Sequence, residues 1–248
     1  MKVILAGYGE VGKGIFGAWR QYHDWMLYDP AAGFDIENPC YCDVYCDVLA
    51  IAFPYSKTFV EDVKALQERF HPEVIVVFST VPIGTCDQIS EDTVHSPVEG
   101  RHDKMSDYLQ EHVRYIGGEN ELARAFFSQC GIEHIKWFSS STHTEFLKLR
   151  SLAIYGVNVE LARWSGHAAK AIDLDYKFVK DYDRDYNKLN FDMGLPDLQR
   201  YVLDPPIGKI GGHCVLQNME ILNEQMMHPF FELTIKMQDD LAKMEEEI

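Results

Sequence analysis

The sequence predicts an α/β fold in which a doubly wound, mostly parallel sheet is followed by a mainly α-helical region. Short apolar runs bounded by glycine or proline alternate with helical patterns up to about residue 138. Such alternation is typical of a parallel sheet covered by helices. Beyond this point, the apolar residues follow long helical periodicity. Hydrophobic residues make up 46% and charged residues 25% of the 248 residues, which is the balance of a soluble globular protein with a real core.

The first region begins with a short apolar run that ends at a glycine, as expected for a buried parallel strand. Helical spacing of apolar residues follows directly after it. The same criteria predict strands at 2–6, 25–28, 48–53, 74–78, 113–116 and 133–138, with helices at 59–70 and 121–129.

The second region opens with a long helix predicted over residues 143–171, for which Ser141 or Thr142 can act as N-cap. Helical spacing continues beyond Asp173, in a stretch rich in Tyr, Asp and Lys. A proline pair, Pro205 and Pro206, marks a loop, and helices are predicted at 215–226 and 230–247. The change of character near residue 139 predicts two domains, 1–139 and 140–248.

The charge and cysteine content narrow the range of functions. The formal net charge is −16, which disfavours binding to nucleic-acid phosphate or anionic membranes but allows a small anionic ligand in a locally positive pocket. No signal peptide or membrane-spanning run is recognised, so we expect a cytoplasmic protein with reduced cysteines. The spacing of Cys40, Cys42 and Cys46 matches no common zinc pattern, and no metal is expected.

A G-x-G-x-x-G motif, residues 7–12, follows the first strand and opens the first helix. In a dinucleotide site, Gly7 permits the tight turn, Gly9 lets the backbone approach the pyrophosphate, and Gly12 lets helix and strand pack closely. The helix N-terminus then faces the phosphates. Asp29 ends the next strand, where a carboxylate accepts hydrogen bonds from the ribose and repels the extra phosphate of NADP. The motif therefore predicts a Rossmann-type NAD site; the alternative is a glycine-rich turn in a nucleotide-free fold.

A second motif, S-T-V-P-I-G-T at residues 79–85, lies at the carboxyl end of a predicted strand. It resembles the S-T-V-P-x-G-T segment of the UDP-glucose/GDP-mannose dehydrogenase family, the nucleotide-sugar 6-dehydrogenases. The resemblance implies that Thr80 lies near the nicotinamide and the reacting sugar carbon; an ordinary turn with Ser/Thr capping is the alternative. The predicted cofactor-binding residues are Gly7, Tyr8, Gly9, Glu10, Val11, Gly12, Asp29, Pro54, Ser79 and Thr80.

A third motif, E-x-x-K-L, begins at Glu145 on the long helix and is similar to a signature of the same family. The resemblance implies that Lys148 points at the substrate, where a buried ammonium group stabilises a developing oxyanion. The alternative is an ion pair between Glu145 and Lys148 on the helix surface. The family has an asparagine four residues after the lysine, and this chain has Leu152 there.

A fourth motif, residues 208–214, resembles the family's G-x-G-G-x-C segment. The resemblance implies that Cys214 is a thiolate nucleophile in a two-step oxidation of a primary alcohol, and that Gly211 and Gly212 approach the sugar. A buried structural thiol is the alternative. The family's lysine–aspartate pair beyond the cysteine is replaced by Gln217 and Asn218, both neutral.

The family's S-P-E segment is S-P-V-E in this chain, which displaces Glu99 by one residue. Glu99 is still a predicted catalytic residue, with Cys214, Lys148 and Thr80. Arg101, His95 and His102 lie nearby, and such residues are more often surface or loop residues than catalysts. The resemblance extends over residues 2–225, and family members continue into a further α/β domain.

The most direct prediction is an NAD-dependent dehydrogenase acting on an alcohol of a sugar nucleotide or a smaller substrate, with an NAD-binding domain and a helical domain for dimerisation and the substrate cleft. Two alternatives stay open. One is an NAD-binding protein with little turnover, such as a sensor or scaffold. The other is a single-step enzyme of the wider 6-phosphogluconate and 3-hydroxyacid dehydrogenase superfamily. The exposed apolar face expected on the long helix 143–171 predicts a homodimer.

Overall fold

The computed structural model describes residues 1–34, 45–206, 213–227, 231–232 and 234–236, without the side chains of His102, His213 and Cys214. Within these ranges, seven strands form one sheet in the order β2-β1-β3-β4-β5-β6-β7. Neighbouring strands are parallel except β5 and β6, which are antiparallel. The predicted fold class is confirmed. The strands are β1 Lys2–Ala6, β2 Asp24–Tyr28, β3 Val48–Ile51, β4 Val74–Val77, β5 Val94–His95, β6 Arg114–Gly117 and β7 Ile135–Phe138.

Helices connect the strands and make up most of the remaining described chain. Those assigned are α1 Glu10–Trp19, α2 Phe59–Phe70, α3 Thr85–Ile89, α4 Met105–Glu111, α5 Glu121–Gln129, α6 Ser141–Ala171, α7 Tyr176–Asp192 and α8 His213–Gln225. Short 3₁₀ turns lie at Pro30–Ala32 and His102–Lys104. No helix of the described ranges is long and apolar enough to cross a membrane.

The sheet is buried on both faces, which explains why its central strands are continuously apolar rather than alternating. One face packs around Trp19, Phe78, Phe126 and Phe127. The opposite face packs against residues that include Phe59 and Phe70 of α2. Complete burial of a side chain of this size contributes about 1.5–3 kcal/mol.

The long helix begins earlier than predicted, at Ser141. The predicted caps Ser141 and Thr142 are wrong: the side chain of Ser140 accepts from the backbone N–H of Thr142, and its carbonyl accepts from the N–H of His143. The Ser141 hydroxyl instead donates to the carboxylate of Asp87. The serine run offers several equivalent N-cap side chains. Because the Ser141 hydroxyl bonds to Asp87, Ser140 acts as the cap, one residue earlier.

Two compact units divide the chain, Met1–Lys148 and Leu149–Ile248. The division falls inside α6, because the first two turns of that helix bond to the sheet unit through Thr144 and Glu145. The domain limits 1–139 and 140–248 stay a prediction. The predicted helix 230–247 lies mostly outside the described residues.

Candidate active site

The glycine loop lies at the point where the chain changes direction across the sheet. β1 is flanked by β2 on one side and by β3 on the other, although β2 and β3 are consecutive strands. In open α/β sheets, such a switch point forms a crevice at the carboxyl ends of the strands, and ligands bind there. Gly7 follows β1 at this edge, and Phe53 lies just beyond β3.

The three glycines of the loop have different surroundings. Gly7 has φ +97°, and a Cβ atom there would lie 2.7 Å from the backbone nitrogen of Phe53. A Cβ atom on Gly12 would overlap the carbonyl oxygen of Gly7. Gly9 has no atom within 4 Å of the corresponding position, so open space lies directly before the first turn of α1. The N–H groups of Glu10, Val11 and Gly12 belong to that turn, and in an α-helix such groups point along the axis towards the N-terminal end. The loop thus has the shape and polarity that a pyrophosphate requires.

Asp29 is held against this loop. Its Oδ2 accepts from the backbone N–H of Tyr8 at 2.7 Å, and its Oδ1 accepts from that of Ala32 at 3.1 Å. Because a carboxylate has about four acceptor positions, two hydrogen bonds leave capacity for ribose hydroxyls. The ring of Phe34 packs edge-on against Tyr8, with 5.0 Å between the ring centroids.

The carboxyl ends of β3 and β4 carry the other predicted cofactor-binding residues. The Ser79 hydroxyl donates to the carbonyl of Phe53 at 2.6 Å and so joins the two strand ends. Pro54 follows Phe53 at the surface, and Thr80 follows Ser79 and is half-buried. The structure therefore brings Ser79, Thr80 and Pro54 to the same edge of the sheet as the glycine loop.

Glu145 bonds to backbone N–H groups and not to Lys148. Its carboxylate accepts from the backbone N–H of Gly84 at 2.6 Å and of Cys86 at 2.9 Å, at the start of α3. Burial raises the pKa of Glu145, and these two hydrogen bonds oppose the rise. The alternative of a Glu145–Lys148 pair is wrong, because Glu145 joins α6 to the segment that begins with Ser79 and Thr80.

Lys148 pairs instead with Glu99. The distance from Lys148 Nζ to Glu99 Oε2 is 3.3 Å, and Nζ also donates to the carbonyl of Val98 at 2.6 Å. The lysine side chain is 11% exposed and the glutamate 45%, so the pair is accessible from one side. The extra residue in S-P-V-E therefore does not separate Glu99 from the lysine.

Arg114 holds the loop that carries Glu99. It is 2% exposed, and its NH2 donates to the carbonyl of Pro97 at 2.6 Å and to Ser96 Oγ at 3.1 Å. Burial lowers the pKa of Arg114 to about 10, and the nearby charge of Glu99 opposes this. On the other side of the loop, Gly100, at φ +107°, packs against the ring of Tyr108 with no room for a Cβ.

A cavity of about 240 Å³ opens beside the Lys148–Glu99 pair. It combines charged and apolar groups, and Leu147 and Tyr115 belong to the apolar part. The lining residues are Pro97, Glu99, His112, Val113, Arg114, Tyr115, Leu147 and Lys148.

His95 is a buried residue, so the expectation of a surface or loop position is wrong. It is 0% exposed, and its ring nitrogens contact Thr144 Oγ1 at 2.9 Å and the carbonyl of Ser79 at 3.1 Å. Burial lowers the pKa of His95 to about 3, and the positive charges of Lys148 and Arg114 act in the same direction. Arg101, in contrast, is exposed, as expected, and it forms an ion pair with Asp103.

Comparison with known proteins identifies the fold. No protein-family model and no curated protein matches the sequence. Among solved structures, the UDP-D-ManNAc dehydrogenase of Pyrococcus horikoshii aligns with a TM-score of 0.77 at 15% identity, over 96% of this chain and 68% of that one. The 3-hydroxyisobutyrate dehydrogenase of Mycobacterium tuberculosis aligns with a TM-score of 0.70 at 12% identity, over 98% and 94%. The UDP-glucose dehydrogenase of Pyrobaculum islandicum gives 0.71 at 15% identity, over 99% and 68%.

The fold is that of these dehydrogenases. The resemblance drawn from the sequence motifs is thus confirmed at the level of the fold. At 12 to 15% identity, residue roles rest on the geometry of this chain alone.

The predicted nucleophile, Cys214, lies in the last of the assigned helices. Cys214 is in the first turn of α8, and its side chain lies outside the described part of the structure. Gly211 and Gly212 also lie outside the described residues, as do Cys40 and Cys42. The described cysteines Cys46, Cys86 and Cys130 are buried free thiols. Burial raises the pKa of each, to about 12 for Cys46, which makes them poor nucleophiles.

Sequence reasoning missed the part that two residues play in this candidate site, His95 and Arg114. His95 ends a strand of two residues, which is too short to give a periodic signal. Arg114 is the first residue of β6, and a charged residue at the start of a mostly buried strand is the feature by which it could have been recognised. A buried arginine needs acceptors, and the polar S-P segment could have been recognised as their source.

Proposed function

We propose that this protein is an NAD-dependent oxidoreductase that oxidises a CH–OH group of a small molecule, with Lys148 and Glu99 at the reacting carbon. The observation that carries the proposal is the Lys148–Glu99 pair, 3.3 Å apart, at the same sheet edge as the glycine loop. The fold shared with UDP-sugar and 3-hydroxyisobutyrate dehydrogenases supports it.

The cofactor proposed is NAD, held by residues 7–12 at the pyrophosphate and by Asp29 at the adenosine ribose. The open space at Gly9 and the N–H groups at the N-terminus of α1 fit this group. Bound NAD would accept the hydride that leaves the alcohol carbon. An acidic residue at position 29 favours NAD over NADP, because it would repel the additional phosphate.

Lys148 is the proposed electrostatic catalyst. Its ammonium group donates to the Val98 carbonyl and pairs with Glu99, which leaves donor capacity for the alcohol oxygen. As the proton leaves that oxygen, the positive charge stabilises the alkoxide. Glu99, 45% exposed, holds the ammonium in place and can accept the proton. Thr80, beyond β4, is the proposed contact to substrate and nicotinamide.

Two reaction types are compatible with this arrangement. A two-step oxidation requires Cys214 as nucleophile, to capture the aldehyde before the second hydride leaves, and Gly211 and Gly212 to approach the sugar. A single-step oxidation requires no thiol. The neutral residues Gln217 and Asn218, which replace the lysine–aspartate pair of the resembled family, favour the single-step reaction.

The deciding experiment measures NADH formed per substrate consumed, with NAD and a panel of UDP-, GDP- and TDP-sugars and small hydroxyacids. Two NADH per substrate, with loss of this yield in Cys214→Ser, support the thiol mechanism; one NADH supports the single-step reaction. Absence of NADH with confirmed NAD binding would overturn the proposed enzyme in favour of a binding protein.

Lys148→Met tests the catalytic assignment. We expect kcat to fall by about 100- to 1,000-fold, the typical cost of removing one transition-state donor. Lys170→Met is the matched control, because Lys170 is an exposed lysine near the end of the same helix. Unchanged kcat in Lys148→Met would refute the assignment.

We further propose a cytoplasmic homodimer. The free thiols of Cys46, Cys86 and Cys130 suit a reducing compartment. Large apolar side chains are exposed on the helical unit, and exposed apolar surface of this kind is typical of an interface; examples are Leu161, Trp164, Phe178 and Tyr182. Sedimentation equilibrium should give twice the chain mass; a monomer at high micromolar concentration would contradict the proposal.

A further inference from the structure

His95 is a buried histidine that bonds to two different parts of the candidate active site. Its Nε2 lies 3.1 Å from the carbonyl oxygen of Ser79, just beyond β4. Its Nδ1 lies 2.9 Å from Oγ1 of Thr144, in the first turns of α6. The imidazole therefore connects the end of one strand to the start of the long helix.

The partners determine where the imidazole proton lies. A carbonyl oxygen only accepts, so Nε2 carries the hydrogen and donates to Ser79. Because the histidine is fully buried and neutral, Nδ1 has no hydrogen and accepts from the Thr144 hydroxyl. Thr144 Oγ1 also lies 3.0 Å from the carbonyl of Ser141, so its proton is shared within the first turn.

Each partner is adjacent to a residue proposed for the reaction. Ser79 precedes Thr80, and Thr144 lies one helical turn before Lys148. The helix start also packs directly on β6, because a Cβ atom on Gly117 would lie 2.5 Å from the Ser140 carbonyl and from Thr144 Oγ1. His95 is thus inserted where strand end and helix start come closest.

We propose that His95 is a positioning residue that sets the distance between Thr80 and Lys148 by holding the Ser79 carbonyl through Nε2 and the Thr144 hydroxyl through Nδ1. The inference rests on the proposed dehydrogenase function of this site. His95 touches no reacting atom, since it is completely buried. It acts through its two neighbours and fixes the geometry in which hydride transfer occurs.

The first test needs no enzymatic activity. Histidine-selective ¹⁵N labelling and two-bond ¹H–¹⁵N correlation at pH 7 report the tautomer of each imidazole, and the His95 signal is the one absent from His95→Gln. The expected pattern is a neutral ring with hydrogen on Nε2. A ring with hydrogen on Nδ1, or an imidazolium, would overturn the proposed bonds.

The second test compares three variants by kinetics. His95→Leu removes both bonds, and we expect kcat to fall by up to about 100-fold, because small misplacements of reacting groups have effects of this size. The KM for NAD should change by less than about twofold, since binding at the glycine loop is unaffected. His95→Gln offers an amide donor and acceptor and should recover most of the loss. His23→Leu is the control: His23 is also buried, but bonds to Phe126 instead.

The outcomes separate this inference from the proposed function. Equal kcat in wild type and His95→Leu, or no recovery in His95→Gln, would refute the positioning role. If wild type forms no NADH, the proposed function fails, and the inference is decided by NMR of ¹³C-methylated lysines, with the Lys148 signal assigned from Lys148→Arg. That signal should shift in His95→Leu and return in His95→Gln; an unchanged signal in His95→Leu would refute the link.

Discussion

Two parts of one sheet edge are built from different chemical groups. At the glycine loop, the groups that face the proposed nucleotide are backbone N–H groups, and the space at Gly9 is open. At the site around Lys148, side chains from one element bond to backbone carbonyls of another: Lys148 to Val98, His95 to Ser79, and Arg114 to Pro97. The first part is formed by a local turn, whereas the second exists only when distant segments have folded together.

This difference teaches where function and stability can be separated. In the glycine loop, a Cβ atom added at Gly9 would contact no other residue. A substitution there can therefore alter nucleotide binding without unfolding the protein. Around Lys148, the residues that hold the site also hold β4, β5 and α6 together. Substitutions there should affect stability and activity jointly, apart from those at the accessible Lys148–Glu99 pair.

The largest expected effect is a difference in stability between substitutions at two glycines of the same loop, Gly12 and Gly9. Gly12→Ala should lower the free energy of unfolding by about 3 kcal/mol or more, because the new Cβ overlaps a backbone carbonyl that cannot move aside. Gly9→Ala should cost less than about 1 kcal/mol, since the new methyl group meets open space. Urea denaturation of both variants measures the difference.

A matched binding experiment compares Gly9→Ala with the wild type. Gly9→Ala should fold normally yet bind NAD at least about tenfold more weakly by calorimetry, because the methyl group occupies the space for the pyrophosphate. Wild-type affinity for NAD in Gly9→Ala would contradict the assignment of this loop as the nucleotide site.

The next effect concerns Glu145. Glu145→Ala should lower the free energy of unfolding by about 2–3 kcal/mol, because the N–H groups of Gly84 and Cys86 lose their acceptor. Glu145→Gln keeps one acceptor oxygen and should lose less. Lys148→Met, three residues along the same helix, should scarcely change stability. Equal stability of Glu145→Ala and wild type would show that these two hydrogen bonds do not hold α3.

The last prediction is a pH dependence, which is small within any one pH unit. The pKa of His95 is about 3 in the folded protein against an ordinary 6.5, so below pH 6.5 the unfolded chain binds a proton that the folded one does not. The stabilisation is complete above pH 6.5 and is lost as pH falls towards 3, by about 1.4 kcal/mol per pH unit. His95→Gln lacks this dependence. The free energies of unfolding of the two proteins, measured by urea titration from pH 7 to 4.5, should therefore converge as the pH falls. A constant difference between them would contradict a buried neutral histidine.

The glycine loop and the strands around it could be predicted from the sequence because each signal is local. The strand before Gly7, the spacing to Gly12 and the acidic residue after β2 all lie within 29 residues. The arrangement of the proposed reaction site could be predicted only in part. Lys148 and Glu99 were recognised through motifs, but their contact depends on how β5 and α6 pack, which no short pattern encodes.

The other failures have the same physical origin. The alternative considered for Glu145 was a partner three residues away on its own helix. Its partners instead lie some sixty residues away, at Gly84 and Cys86. The strand that ends at His95 has two residues and pairs with β4 through Val76 and Val77. A contact between segments distant in sequence leaves no periodicity in either segment, so only the folded structure reveals it.

The reversed direction of β6 has a consequence for finding functional residues in such sheets. Because β6 is antiparallel to β5, its amino end lies beside the carboxyl ends of the parallel strands. Arg114, the first residue of β6, therefore reaches the loop of Ser96 and Pro97 from a position that would face the opposite edge in a wholly parallel sheet. β7 is parallel to β6, so the last two strands of the sheet both run against the first five. Where a doubly wound sheet changes direction in this way, the search for functional side chains should include the residue at which the first reversed strand begins.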